Sequence, residues 1–92
     1  LLNEDPIRDG VSAAIANGGL EGFVRGAAIV MPRGVRLNLV SPTVLVESLS
    51  SYSAFFPGTK AVPASEVALG YAKSVEGAQT GRIYRIGWSR PD

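Results

Sequence analysis

The sequence predicts an α/β layered fold of partial extent, on three observations. Helical and strand periods follow one another in the order helix, strand, loop, helix, strand. Strand, crossover, helix, strand is the order of a right-handed βαβ unit with parallel strands. Two parallel strands and two helices do not make a self-sufficient sheet, because parallel sheets need both faces covered and usually run larger. The 92 residues therefore read as a partial single domain, 1–92, whose other strands lie elsewhere.

Leu1 to Arg8 is short and polar, with Pro6 fixing the backbone just ahead of a helical pattern. From Val11 onward Ile15, Leu20, Phe23, Val24, Ala27 and Val30 or Met31 recur at three- and four-residue spacing. Asp5 or Asp9 suits the N-cap, and Pro32 and Gly34 supply the stop, so a helix is expected over 8–31. Along it Ala14, Gly18, Gly22 and Gly26 stand at i, i+4 spacing, with Gly19 beside them. Each interior glycine costs ~1 kcal/mol relative to alanine, so close backbone approach is the expected offset. That approach is either helix-to-sheet packing within the chain or contact with a partner subunit, a homo-oligomer. A membrane version of the motif fails, because Glu21 and Arg25 interrupt the apolar run.

Gly34 to Val40 alternates, with Val35, Leu37 and Leu39 on one side and Arg36, Asn38 and Val40 on the other. This predicts a strand over 34–41, near a sheet edge because its second face is mixed. Residues 43–62 form a loop with a short helix, in which Tyr52, Phe55 and Phe56 cluster before Pro57-Gly58. These aromatics either tuck onto the core or wall a substrate pocket. Pro63 opens a second helix over 63–76, where Glu66 suits the positive helix end. Val67, Ala68, Tyr71, Ala72 and Val75 form its apolar face, and a final strand follows over 81–87.

Composition narrows the function classes. Nine basic and eight acidic residues leave a net charge of +1, which disfavours nucleic-acid binding through counterion release. With no cysteine and no histidine, neither a disulfide frame nor a transition-metal site is expected. The longest aliphatic stretch, Ala27 to Met31, is too short to span a bilayer, and nothing reads as a secretory signal. A cytoplasmic setting is the default expectation. The first residue is Leu1 rather than methionine, which fits a fragment with a missing N-terminal half.

Gly34-Val35-Arg36-Leu37-Asn38-Leu39-Val40-Ser41-Pro42 resembles the penultimate strand of the short-chain dehydrogenase/reductase family. Gly19-Leu20-Glu21-Gly22-Phe23 is similar to the run after that family's catalytic Tyr-x-x-x-Lys. Ala64-Ser65-Glu66-Val67-Ala68 resembles the start of its penultimate helix, and Gln79-Thr80-Gly81-Arg82-Ile83-Tyr84 the Thr-Gly lead into its final strand. The four motifs stand in family order and cover nearly the whole chain, but only the C-terminal part of the family's domain. The resemblance implies the C-terminal part of a Rossmann-like, doubly wound parallel-sheet domain and an oxidoreductase using NAD or NADP.

Three departures qualify that implication. No Gly-x-x-x-Gly-x-Gly follows a strand, so a site for the dinucleotide phosphates is not expected in this chain. The family's tyrosine falls on Ala13 and its lysine on Asn17; alanine cannot carry a proton, and Asn17 supplies hydrogen bonds without charge. No catalytic residue is therefore assigned, and Ser12, adjacent but without a base, is a poor proton carrier. After Ser41-Pro42, Thr43 takes a glycine position, Leu45 takes the place whose main chain holds the nicotinamide carboxamide, and Glu47 replaces a frequent threonine. Asn17, Pro42, Thr43 and Leu45 are the cofactor-binding candidates that the resemblance implies. The competing expectations are a non-catalytic dinucleotide-binding module and a structural protein whose copies complete one another's sheet.

Overall fold

The computed structural model describes residues 1–90. It is an α/β structure with three helices, α1 (Val11–Ala28), α2 (Leu49–Tyr52) and α3 (Ala64–Glu76), and a two-stranded parallel sheet of β1 (Leu39–Pro42) and β2 (Ile83–Ile86). The strands pair in register from Leu39 against Ile83 to Pro42 against Ile86. Short 3₁₀ turns flank α2 at Val46–Ser48 and Ser53–Phe55.

Successive side chains of a strand point to opposite faces, and the two helices use both. On one face α3 lies against Val40 and Ile86. A Cβ added to the buried Gly70 would stand 3.2 Å from each of those side chains, so glycine permits this approach. On the other face α1 meets the sheet through Glu21, which lies within 4.0 Å of Arg85. Leu39 and Thr43 donate their amides to Arg82 and Ile86 oxygens on the β2 side. The intervening Val40 amide therefore faces the opposite edge of β1, where no strand pairs among the described residues.

The strand expected over 34–41 is shorter because its first half serves other contacts. Leu37 accepts from Gly81 and donates to Thr80 Oγ1 (3.1 Å). Arg36 donates to the Ser74 and Val75 carbonyls at the end of α3, where a cation satisfies helix ends that lack partners. Asn38 Nδ2 donates to Ser74 Oγ (2.9 Å) and the Gln79 carbonyl (3.0 Å), and its Oδ1 accepts from the Arg82 amide (3.0 Å). Arg36 and Asn38 thus tie β1 to both α3 and the turn before β2.

The expected 8–31 helix is trimmed at both ends. Asp9 adopts a left-handed φ of 62°, and Gly10 takes the N-cap with no side-chain cap. The turn Arg33-Gly34, with φ of 57° and 70°, follows its C-terminus. The apolar stripe is corrected more deeply. Val11, Ile15 and Phe23 are 73%, 70% and 61% exposed, while Glu21, Val24 and Ala28 are buried. Added Cβ atoms on Gly19, Gly22 and Gly26 would meet nothing within 4 Å, so the small-residue stripe does not pack onto this chain's own sheet.

In α3 the face expected from Val67, Ala68, Tyr71, Ala72 and Val75 is only partly covered. Lys73 sets its ammonium over the Tyr84 ring (5.2 Å) on the β2 side. Tyr71 and Val75, on the opposite flank, remain 58% and 73% exposed beside the open edge of β1. Pro63 is the N-cap rather than the first helical residue, and β2 is Ile83–Ile86 within the expected 81–87. The accessible surface is 6146 Å², against about 5,100 Å² for a compact monomer of this mass.

Candidate functional site

Ligands of open α/β sheets bind beyond the carboxyl ends of the strands. Two adjoining clefts lie there. The smaller, of about 280 Å³, is bounded by Asn17, Leu20 and Glu21 of α1, by β1, and by Thr43 and Phe56. The larger, of about 970 Å³, lies between residues 5–9, 54–60 and 87–89. Leu1, Thr43 and Phe56 line both, so the clefts meet at the end of β1.

Thr43 is buried at that junction. Its amide donates to the Ile86 carbonyl (2.9 Å) and its Oγ1 to the Lys60 carbonyl (2.9 Å). Gly87 has a φ of +81°, and an added Cβ would stand 2.5 Å from Val62 Cγ1 and 2.8 Å from Thr43 Cγ2. Glycine is required there both by the left-handed backbone and by the two side chains against it. Trp88 follows, fixed by donation of Nε1–H to the Ser41 carbonyl (2.7 Å) and by Arg85 over its ring (5.5 Å).

The one charged side chain lining the smaller cleft, Glu21, is paired, and a second ion-pair cluster around Glu4 lies outside the lining. Glu21 accepts from Asn3 Nδ2 (2.8 Å) and lies 3.5 Å from Arg25. Glu4 pairs with Arg90 (2.5 Å) and Arg85 (3.0 Å). The hydrogen bond from Arg90, then that from Arg85, holds the Glu4 carboxyl below its ordinary pKa. The Leu1 backbone nitrogen donates to Ser41 Oγ (3.0 Å).

Of the residues singled out by sequence, Asn17, Pro42 and Thr43 come together on the smaller cleft. Phe55 and Phe56 wall the larger one. Leu45 lines neither; it forms a parallel bridge with Val62 at the base of the 46–61 excursion. Tyr52, the last residue of α2, also lines neither cleft and is exposed. Ser12 is exposed on α1, and Ala13 lies one helical turn before Asn17.

Sequence reasoning missed Trp88, Lys60 and the wall formed by 5–9. The available signal for Trp88 was its place just after the last strand, at a carboxyl end. No group of three or more His, Cys, Asp or Glu side chains suited to a metal occurs among the described residues. No helix among them is long and apolar enough to cross a membrane.

The molecule is thus an α/β chain that presents a junction of two clefts at the carboxyl end of a parallel strand. A solved structure similar to it is that of the protein lin1944 from Listeria innocua, with 54% sequence identity, a TM-score of 0.89 and coverage of 91% of this chain. The match covers 42% of that protein's chain, so this chain spans well under half of its length. No family model matches the chain, and none of the curated proteins matches it.

Proposed function

We propose that this chain is the C-terminal part of a short-chain dehydrogenase/reductase-like oxidoreductase, and that it supplies the nicotinamide end of an NAD or NADP site. The observation that carries the reading is the meeting of Asn17, Pro42 and Thr43 on one cleft at the carboxyl end of β1, directly beside an aromatic-walled second cleft. Asn17 offers a side-chain amide and Pro42–Thr43 a main-chain edge, which suits a neutral carboxamide and ribose. The phosphates do not fit here, since no Gly-rich turn joins a strand to a helix. The cofactor, when bound, supplies hydride chemistry. The substrate lies in the larger cleft against Phe55 and Phe56, with Tyr52 outside it.

The same reading places the remainder of a Rossmann-like sheet on the open edge of β1. The exposed flank of α3, the bare Val40 amide edge and the surplus accessible surface support it. Ala13 and Asn17 leave the site without a phenol and without an activating ammonium, so turnover of carbonyl substrates is expected to be weak.

The test uses Trp88, the only tryptophan, as a reporter inside the larger cleft. Reduced nicotinamide mononucleotide should quench its emission by energy transfer, with ADP failing to compete and Asn17→Ala weakening the effect several-fold. Quenching that ADP reverses, or none with either mononucleotide or dinucleotide, sinks the reading.

A non-catalytic, homo-oligomeric module is the second reading, carried by the outward Gly22 and Gly26 beside exposed Val11, Ile15 and Phe23. In it copies associate through the Ala14/Gly18/Gly22/Gly26 side of α1. Gly22→Leu should then shift the sedimentation profile towards monomer; an unchanged profile removes this interface.

A further inference from the structure

The excursion between β1 and α3 has a firm neck and a thinly anchored body. At the neck, Val46 donates to the Val62 carbonyl (2.8 Å) and Val62 to the Val44 carbonyl (3.1 Å), beside the Leu45–Val62 bridge. Val44 and Val62 are buried there. Beyond it no residue of 46–61 is buried, so the excursion is not held by core packing. Its own hydrogen bonds are local, such as Phe56 to the Ser53 carbonyl and Thr59 to the Phe56 carbonyl.

Two sets of side-chain hydrogen bonds connect it to the rest among the described residues. Thr43 Oγ1 donates to the Lys60 carbonyl (2.9 Å), and the Glu47 carboxylate accepts from the Ala64 amide at the start of α3 (3.1 and 3.2 Å). Thr43 and Glu47 are also two of the positions at which the chain departs from the family pattern it resembles. We infer that Thr43 and Glu47 act as a two-point clamp that holds the 46–61 excursion in place and thereby positions the Phe55/Phe56 wall of the larger cleft.

The physical case rests on what each contact replaces. The neck bonds are main-chain bonds that almost any sequence makes. Thr43 is buried, so its hydroxyl bonds the Lys60 carbonyl in a site where water competes poorly. Glu47 gives an anionic acceptor to one of the free N–H groups at a helix N-terminus, where negative charge is favoured. One contact fixes the returning arm at residue 60, the other the outgoing arm at residue 47. Phe55 and Phe56 lie between the two. The clamp belongs to the chain itself and requires no cofactor, so the wall is set before any ligand arrives.

Amide hydrogen exchange of the full chain tests this. In Thr43→Val and in Glu47→Ala, exchange across 46–61 should quicken by roughly three- to tenfold per lost contact, the range of one net hydrogen bond. In the double variant the increases should multiply, acrylamide quenching of Trp88 should rise, and β1, β2 and α1 should exchange as before. Thr43→Ser, which keeps the hydroxyl, should restore the wild-type rate. Proportional acceleration in every element would mean general destabilisation and overturn the clamp. So would an unchanged 46–61 rate in the double variant, or failure of Thr43→Ser to restore it.

Discussion

The carboxyl end of the sheet and the helix α1 are built on opposite terms. Around Thr43, Val62 and Gly87, side chains from three segments close on one another so tightly that a single added carbon would overlap two of them. Along α1, three glycines face open space, and three large apolar residues are more than 60% exposed. The first region is closed by this chain's own side chains; the second is left uncovered by the described residues. Glycine therefore has two meanings here: at Gly87 a backbone demand met by its own neighbours, and at Gly22 an open helical position that no described residue approaches.

Alanine at these two glycines gives the strongest test of that contrast. Gly87→Ala should destabilise the fold by about 2–4 kcal/mol, from the left-handed backbone and the clash with Val62 and Thr43. Gly22→Ala should instead raise stability by up to ~1 kcal/mol, because an open helical site gains only propensity. Urea unfolding of both variants measures the difference. A loss at Gly22 would show that α1 is already packed against a second copy in solution.

A smaller effect is expected at the amino end of β1, where Asn38 ties it to α3 and to the turn before β2. Asn38→Ala removes three hydrogen bonds in a partly exposed setting and should cost roughly 1–2 kcal/mol. Exchange protection should fall in α3 and β2 while α1 keeps its own. Equal losses in α1 would mean that the two regions unfold as one unit.

The smallest effect is pH-dependent. Glu4, held below its ordinary pKa by Arg90 and Arg85, joins the N-terminal segment to β2 and the tail. A depressed carboxyl stabilises the fold above its unfolded pKa, near 4.5, and that contribution disappears as pH falls through the lower folded value. The thermal midpoint should therefore show a slight extra drop below about pH 4.5, and Arg90→Gln should flatten it. Because the pair is solvent-screened, the drop should be the least of the three effects.

Much of the architecture was legible from sequence: the order of elements, the parallel pairing, and the positions of both long helices to within a few residues. Period and punctuation are local properties, and Pro32, Gly34, Pro63 and Gly77 act on their immediate neighbours. The convergence of three residues singled out by sequence was legible too, since Asn17, Pro42 and Thr43 line one candidate cleft. Leu45 and Tyr52 did not join them, because Leu45 is held in the bridge with Val62 at the neck and only the 54–60 part of the excursion reaches the larger cleft. The roles of Arg36 and Asn38 were hidden because their partners lie 36 to 44 residues away.

By itself, the sequence determined which helices and strands form, their order and which strands pair, because those choices depend on neighbours within a turn or on alternation along a strand. Only the tertiary structure decided which side of α1 is buried, that Thr43 and Glu47 bind the excursion rather than stand free, and that Trp88 walls a cleft. Each of those outcomes depends on surfaces brought together from distant parts of the chain, where burial and hydrogen-bond partners are set by packing and not by local preference.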